Sequence, residues 1–274
     1  MLTTKNFIQA IKSAWEKNNS LVCVGLDPDR AKIPVSLRSL ATPLFAFNKA
    51  IIDATADLVC AYKPQIAYYA AARAEQELEL TIAYIHQHYH GIPVILDAKR
   101  GDIGSTAEQY AKEAFDRYQA DAVTVNPYLG ADTLQPFLDR KDKGIIILCR
   151  TSNPGARAIQ DLDSGGKKLY QIIATMAATE WNANGNVLLV VGATFPQELR
   201  EIRAIVGEMP LLVPGIGAQG GEVKSAIVNG TSKNGTGMII NSSRGVIYAS
   251  DSDDFAEAAR NAAILLRDEV NRYR

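Results

Sequence analysis

Residues 92–102 read IPVILDAKRGD, a short apolar run followed by four charged side chains within six residues. The apolar half is typical of a buried strand, so the charges are expected where that strand ends. Because alternate side chains of a strand share a face, Asp97 and Lys99 are predicted to point the same way. Gly101 is predicted to let the chain turn and bring Asp102 back near both. The segment therefore predicts a charged cluster at the mouth of a strand.

An apolar run followed by a longer amphipathic segment occurs eight times along the chain. Alternating strands and helices imply a parallel sheet, and eight such units can close it into a (β/α)8 TIM barrel; an open doubly wound sheet is the less favoured alternative. We predict strands at residues 21–26, 58–63, 94–97, 122–125, 144–149, 187–191, 211–213 and 238–241, and helices at residues 43–56, 70–88, 105–117, 131–140, 167–182, 196–206, 221–229 and 253–272. Phe7, Ile8, Ile11 and Trp15 predict an additional N-terminal helix that closes the barrel floor.

Length and composition limit the number of domains, the partners and the compartment that we expect. One barrel of about 250 residues accounts for the chain, so residues 1–274 are expected to form a single domain. The 29 basic and 30 acidic residues give a net charge of −1, so neither nucleic acid nor a membrane is expected as a partner. Cys23, Cys60 and Cys149 lie in apolar runs without metal-type spacing, and no signal peptide or membrane-spanning stretch is evident. We expect a cytoplasmic protein with buried thiols.

The charged cluster favours a chemical role. Buried ion pairs often contribute little net stability compared with apolar packing, so stability alone is a weak reason for these charges. A lysine between carboxylates stays protonated and can donate a proton to a substrate atom. Lys63 ends another predicted strand just before Pro64 and is a second candidate. A solvated ion-pair turn at residues 97–102 is the alternative.

Residues 215–220 spell GIGAQG, which matches the G-x-G-x-x-G dinucleotide fingerprint. That fingerprint normally opens a first βα turn, whereas this match follows the seventh predicted strand. In barrels, the loops after the seventh and eighth strands often bind phosphate through backbone N–H groups. We therefore predict a phosphate site, in which Gly215 and Gly217 allow close backbone approach and the Arg244 guanidinium contacts the phosphate oxygens.

Two other segments carry polar residues. Residues 151–166, after the fifth predicted strand, are expected to form a mobile cover, since long loops without secondary structure are often lids; a disordered connection is the alternative. His86, His88 and His90 alternate near the end of a predicted helix, where the helix dipole favours cations. No metal site is predicted.

Several motifs resemble those of the orotidine 5′-phosphate decarboxylase family, in particular its longer, mycobacterial-type branch. The resemblance spans nearly the whole chain and rests on residues 25–28, 61–64, 96–103, 151–156, 214–221 and 243–245. It implies decarboxylation of orotidine 5′-monophosphate to uridine 5′-monophosphate, the last step of pyrimidine synthesis, without metal or organic cofactor. It also implies a homodimer. The longer chain and residues 126–128 depart from the compact branch, which leaves the lid contacts and the role of Asn126 open.

The resemblance assigns the catalytic roles residue by residue. Lys99 is the expected proton donor to pyrimidine C6, and Asp97 is expected to lie against the departing carboxylate. Lys63 and Asp102 complete an alternating charge array, with Asp102 reaching the site of the neighbouring subunit. Ile103 and Thr106 are expected to accompany Asp102 across that interface.

The binding roles follow in the same way. Asp27 and Lys63 are expected to hold ribose hydroxyls, and Ser152 the amide edge of the pyrimidine. Gln219 and Arg244 are expected to bind the phosphate.

Three other functions remain open from the residues. A barrel with the same Asp-x-Lys-x-x-Asp cluster could use magnesium to decarboxylate a keto-sugar phosphate. A Schiff-base aldolase would need Lys99 or Lys63 as a nucleophile, which a lysine flanked by Asp97 and Asp102 suits poorly. A catalytically silent protein that binds nucleotide phosphates would explain Arg244 and the glycines but not Lys99.

Overall fold

Eight parallel strands form a barrel in the computed structural model, which describes residues 6–216 and 220–274, with the backbone alone for residues 220–222. The barrel strands are β1 (Val22–Leu26), β2 (Ala61–Pro64), β3 (Ile95–Arg100), β4 (Ala122–Val125), β5 (Gly144–Arg150), β8 (Val187–Val191), β9 (Leu211–Pro214) and β10 (Met238–Ser242); β6 (Asp163–Ser164) and β7 (Lys167–Lys168) form a separate antiparallel hairpin. The eight barrel strands lie in the order β2-β1-β10-β9-β8-β5-β4-β3. Parallel bridges from Tyr62 to Val94 and from Gln65 to Asp97 join β2 to β3, so the sheet closes on itself. The predicted TIM barrel is confirmed.

Helices cover the outside of the barrel, because a parallel sheet that is buried on both faces needs an apolar outer layer. They are α1 (Phe7–Lys17), α2 (Pro43–Thr55), α3 (Ile66–Ala71), α4 (Glu75–His88), α5 (Gly104–Lys112), α6 (Ala131–Leu138), α7 (Arg157–Gln160), α8 (Leu169–Thr179), α9 (Pro196–Val206), α10 (Gly220–Gly230), α11 (Arg244–Ile247) and α12 (Phe255–Tyr273). No helix of the described ranges is both long and apolar enough to cross a membrane.

The N-terminal helix closes the floor of the barrel, as predicted. Asn6 begins α1 with a capping box, in which its Oδ1 accepts the Gln9 amide at 2.9 Å. The amide of Phe7 donates to the Asp142 carbonyl at 2.9 Å, and the Phe7 ring lies so close to Gly144 that a Cβ there would overlap it. Since Gly144 opens β5, α1 is fixed at the amino ends of the strands, opposite the mouth.

Three parts of the chain differ from the sequence prediction. The helix predicted at 70–88 is α3 and α4, separated by a turn in which Arg73 has a φ of +54°. The helix predicted at 105–117 ends in one π turn, Glu113–Arg117. Residues 151–166 were expected to lack secondary structure, but they contain a 3₁₀ turn, α7 and the first strand of the β6–β7 hairpin. That expectation was wrong, because the segment folds on a buried arginine described below.

Candidate active site

The charged stretch of β3 contains a bulge. Leu96 pairs with Val123 of β4, but the next pair joins Arg100 to Val125, so three residues of β3 oppose one residue of β4. Lys99 lies in this bulge with a φ of +48°, in the left-handed region. Strict strand alternation, from which Asp97 and Lys99 were predicted to point the same way, therefore does not hold here. The two side chains meet because the backbone bulges.

The Asp97 carboxylate is the centre of the cluster. Its Oδ2 accepts from Lys63 Nζ at 2.7 Å, and its Oδ1 accepts from Lys99 Nζ at 2.6 Å and from Thr124 Oγ1 at 2.9 Å. Asp97 and Lys63 are buried, whereas the Lys99 side chain is 46% exposed. The cluster therefore has a buried ion pair, Asp97 with Lys63, and one ammonium group, that of Lys99, which reaches a solvent-accessible cavity.

Burial and charge act in opposite directions on these groups. Burial alone would raise the pKa of Asp97, but the charges of Lys63 and Lys99 and their hydrogen bonds hold it well below its usual range. Burial would lower the pKa of Lys63, but the charges of Asp97 and Asp27 raise it above the ordinary value. Asp97 is therefore an anion and Lys63 a cation at neutral pH.

The cluster forms one wall of a cavity of about 370 Å³ at the carboxyl ends of the strands. The rest of the lining combines polar side chains, those of Thr124, Thr151, Ser152 and Asn153, with apolar ones, those of Leu148, Val190, Leu212 and Pro214. A flat ring with a charged substituent suits such a space, because the ring can contact the apolar wall while its substituent faces the ions.

Asp27 follows β1 at the same end of the barrel. Its Oδ1 is buried and has no hydrogen-bond partner among the described residues. Burial raises its pKa, although the charge of Lys63 and a hydrogen bond from Ser243 oppose that effect. A buried acceptor without a partner suits a ligand hydroxyl.

Ser152 reaches the cavity because two glycines let the backbone pass closely. A Cβ at Gly192 would lie 2.9 Å from the Ser152 Cβ, so only glycine fits there. Gly215, at the end of β9, has a φ of +90°, and a Cβ there would lie 3.9 Å from the Ser152 hydroxyl. The predicted pyrimidine contact and the start of the predicted phosphate loop are therefore adjacent.

Arg244 is the first residue of α11, directly after β10. Its side chain is exposed and has no ion pair or hydrogen bond to any residue in the described part of the chain, so the guanidinium can accept an anionic ligand. Pro214 and Asn241 pair in the sheet, so the ends of β9 and β10, and with them Gly215 and Arg244, lie side by side. Gly217 and Gln219, the other predicted phosphate-loop residues, lie outside the described residues.

Asp102 does not return to Lys99 within the chain. Its Oδ1 accepts the Ile103 amide at 2.8 Å, and no described cation lies within 4.0 Å of its carboxylate. The physical reason is the path after β3: Gly101 passes the Asn126 carbonyl, which a Cβ would approach to 3.1 Å, and the chain then runs outward into α5. Asp102 is half-buried, Ile103 is 62% exposed and Thr106 is exposed, so the three side chains are at least partly accessible at the barrel mouth.

Residues 20–260 match the family model described as orotidine 5′-phosphate decarboxylase / HUMPS family. The chain belongs to this family. It is 60% identical over 268 residues to the orotidine 5′-phosphate decarboxylase of Ralstonia nicotianae, covering 98% of this chain and 99% of that protein, and a relative from Dechloromonas aromatica shows the same values. The solved structure of Leishmania donovani OMP decarboxylase matches with a TM-score of 0.85 and 39% identity, covering 98% of each chain. A putative orotidine 5′-phosphate decarboxylase from Streptomyces avermitilis matches with a TM-score of 0.84 and 30% identity, covering 100% of this chain and 98% of that one.

Two residues that sequence reasoning missed complete this decarboxylase-family site. Thr124, on β4, bonds to Asp97 as described above. Arg150, the last residue of β5, is fully buried; its guanidinium lies 3.1 Å from the Asp161 carboxylate and 4.6 Å from the ring centre of Phe195. Neither residue belongs to a local motif, and the only signal in the sequence was a polar side chain near the end of a predicted barrel strand.

Arg150 explains why the segment after β5 is folded. Its guanidinium also contacts Gln160, whose side chain accepts the Thr151 amide at 2.9 Å and donates to the Thr151 hydroxyl at 2.9 Å. The start of the segment, at the cavity, is thereby joined to the end of α7.

The alternating histidines lie away from the cavity. His86 Nε2 is 2.9 Å from Asp121 Oδ2, and that carboxylate also accepts the Val94 amide, which precedes β3. Across residues 6–216 and 220–274, no group of three or more His, Cys, Asp or Glu side chains is arranged to hold a metal.

Proposed function

We propose that the chain converts orotidine 5′-monophosphate to uridine 5′-monophosphate, the last step of de novo pyrimidine synthesis. The observation that carries the proposal is the Lys99 ammonium, held 2.6 Å from Asp97 beside a cavity with an apolar wall. Family membership and 60% identity to a curated orotidine 5′-phosphate decarboxylase support the substrate.

The reaction needs no more chemistry than this cluster can supply. The bond from C6 to the carboxylate breaks, carbon dioxide leaves, and the electron pair stays on C6. The Lys99 ammonium stabilises that negative charge and then transfers a proton to C6, after which water reprotonates the amine. Asp97 fixes the ammonium and repels the substrate carboxylate, which favours its departure. No metal or organic cofactor takes part in the proposed reaction.

The binding groups surround the cavity. Lys63 gives one hydrogen to Asp97 and keeps two donors for a ribose hydroxyl, and Asp27 offers its unpaired acceptor. Ser152 contacts the pyrimidine amide edge. The phosphate is bound by Arg244 together with Gln219 and the backbone at Gly215 and Gly217. Because the phosphate is remote from C6, its binding energy can position the reacting ring.

A second copy of the chain completes the site in this proposal. Asp102, with Ile103 and Thr106, crosses to the partner and places its carboxylate near the partner's ammonium. The exposed apolar side chains of Tyr128 and Leu129 follow β4, next to the loop that carries Asp102, and suit a surface covered by another protomer. Residues 1–274 act as one barrel domain, and the free, buried cysteines are consistent with a reducing cytoplasm.

The function is tested by following the absorbance of orotidine 5′-monophosphate with purified protein after exhaustive chelation. Loss of the orotate absorbance with stoichiometric uridine 5′-monophosphate supports the proposal. No turnover of orotidine 5′-monophosphate, together with magnesium-dependent decarboxylation of a keto-sugar phosphate, would favour the metal-dependent alternative. Trapping of a keto-sugar phosphate by borohydride would favour the aldolase.

The shared site is tested with two inactive variants, Lys99→Ala and Asp102→Ala. A hybrid dimer has one site with both defects and one site with neither, so mixing the two proteins after reversible dissociation should restore turnover. If the mixture stays as inactive as each variant while hybrid dimers form, Asp102 does not act across the interface.

A further inference from the structure

We infer that Thr124 is a positioning residue, which sets the location of both Lys99 and Asp97 through its hydroxyl. This inference rests on the proposed function and adds a residue that lines the cavity but whose hydroxyl is used by β3. The Thr124 side chain is 1% exposed, and its Oγ1 accepts the amides of Ala98 and Lys99, each at 2.9 Å. The same hydroxyl donates to Asp97 Oδ1 at 2.9 Å.

The hydroxyl is saturated by these three bonds. A threonine hydroxyl has one hydrogen to donate and two lone pairs to accept with, and all three are used on consecutive residues of β3. Thr124 is also the single residue of β4 that faces the three bulged residues of β3. A group that is fully used at the centre of an irregular backbone determines the shape of that backbone.

The shape is one that Lys99 would not adopt unaided. A φ of +48° is unfavourable for a residue with a Cβ, and it persists only where the surroundings fix it. Two backbone amides bonded to one oxygen provide that constraint. Valine at position 124 would leave both amides and one lone pair of Asp97 without this partner, in a partly buried place where unsatisfied polar groups are costly.

The other side of the bulge is fixed separately. Arg100 turns away from the cavity, and its guanidinium forms two bonds with the Glu113 carboxylate, at 2.9 and 3.0 Å, while it lies 4.6 Å from the Tyr110 ring centre. Lys99 is therefore directed inward between an anchored Arg100 and the Thr124 hydroxyl. Loss of the Thr124 hydroxyl should therefore free Lys99 and leave Arg100 bound to Glu113.

This arrangement predicts which kinetic constant changes. The proposed contacts from Asp27, Ser152 and Arg244 do not involve Thr124, and Lys63, the second ribose contact, bonds to the Asp97 oxygen that Thr124 does not touch. Lys99, the proposed proton donor, and Asp97, the carboxylate that holds it, both bond to the Thr124 hydroxyl. Removal of the hydroxyl should therefore reduce kcat and leave KM nearly unchanged.

The experiment compares Thr124→Val with Thr124→Ser. Misplacement of a reacting group by about 1 Å can cost roughly 100-fold in rate, so kcat of Thr124→Val should fall by about that factor while KM stays within about threefold. Thr124→Ser keeps the hydroxyl and should stay within about threefold of wild-type kcat. The matched control is Thr133→Val, a buried threonine of α6 whose hydroxyl donates to the Gly130 carbonyl at 2.7 Å, and kcat of this variant should not change.

Amide hydrogen exchange gives a readout that needs no turnover. In the wild type, the Ala98 and Lys99 amides should be protected, and Thr124→Val should expose these two while leaving other β3 amides protected. If wild-type protein does not decarboxylate orotidine 5′-monophosphate, the proposed function fails, but the exchange result still tests the positioning.

The inference is overturned if kcat of Thr124→Val remains within about threefold of the wild type, or if Thr124→Ser loses as much activity as Thr124→Val. If Thr124→Val does not fold, Thr124→Ser and exchange in the wild type decide: fast exchange at Ala98 and Lys99 overturns the inference, and protection together with active Thr124→Ser supports it.

Discussion

Two cationic centres, each at least partly buried, lie at opposite ends of the barrel, and they differ in what surrounds them. At the amino ends of the strands, Arg203 of α9 donates to four backbone carbonyls, those of Gly207, Met209, Gly230 and Gly237, at 2.5 to 2.8 Å. Burial lowers its pKa to about 10, which leaves it charged at neutral pH. At the carboxyl ends, Lys63 and Lys99 share one carboxylate, and Lys99 reaches a cavity.

Arg203 is surrounded as a stabilising cation would be, and Lys99 as the proposed function requires of a proton donor. The partners of Arg203 are backbone groups of α9, α10 and the starts of β9 and β10, so it fixes elements to one another. Lys99 is held by one side chain and a strained backbone, and its ammonium remains accessible to a ligand. Substitutions at the two ends should therefore affect different quantities: the free energy of unfolding at the floor, and turnover at the mouth.

The largest expected effect is on turnover. Lys99→Ala should reduce kcat by roughly 10⁴-fold or more, since in the proposed function it removes both the proton donor and its charge. A uridine phosphate analogue should still bind, as measured by calorimetry. Lys49→Ala, which removes an exposed lysine paired with Asp53, is the control and should retain full activity. Lost binding with normal turnover per bound substrate would contradict the assigned role.

Arg203→Ala should have the opposite profile. It leaves four carbonyls without their donor, so the free energy of unfolding should fall by about 3–5 kcal/mol in urea titrations. The kcat of the protein that remains folded should not change. Arg200→Ala, an exposed position on the same helix, should alter stability little. A large fall in kcat of Arg203→Ala with unchanged stability would contradict this division, because it would give a residue at the barrel floor a role in turnover.

Asp97 links the mouth to stability through pH. Its pKa is lower in the folded protein than in the unfolded chain, so the unfolded chain binds more protons as the solution becomes acidic. Its contribution, on the order of 3 kcal/mol, is present above about pH 5 and is lost as the pH falls below the ordinary aspartate pKa. Asp97→Asn should flatten the acid limb of a plot of unfolding free energy against pH. Equal slopes in both proteins would show that the pair with Lys63 contributes nothing.

The smallest effect is expected at the phosphate. Arg244→Ala removes one exposed guanidinium contact and should weaken substrate binding by roughly 1.5–3 kcal/mol, seen as a higher KM with little change in kcat. Arg157→Ala, an exposed arginine of α7, is a control for the loss of positive charge. A nearly unchanged KM in Arg244→Ala would exclude the phosphate role.

The periodic parts of the fold were predictable from the sequence, and the irregular parts were not. The bounds of β4, β8 and α9 match the predicted residues, because each is a clean apolar or amphipathic pattern between turn signals. The break between α3 and α4 was missed because it depends on a positive φ at Arg73, and no glycine, the usual sequence signal for a positive φ, lies there.

The site shows the same division. Asp97 and Lys99 were identified from their position after an apolar run, but the bulge that joins them depends on Thr124, 25 residues further along the chain. Arg150 was missed because its partners, Asp161 and Glu198, come from two different segments that only the folded barrel brings together. Asp102 lies apart from Lys99 within one chain, and in the proposed dimer its partner is in another.

In the proposed reaction the Lys99 ammonium stabilises negative charge at C6, and a pair of binding affinities measures that stabilisation. The ligands are uridine 5′-monophosphate and an analogue that carries a negatively charged oxygen at C6, each titrated into wild-type protein and Lys99→Ala. The wild type should bind the anionic analogue at least about 100-fold more tightly than uridine 5′-monophosphate, and Lys99→Ala should lose most of that preference. The same preference in both proteins would show that Lys99 does not stabilise the charge at C6.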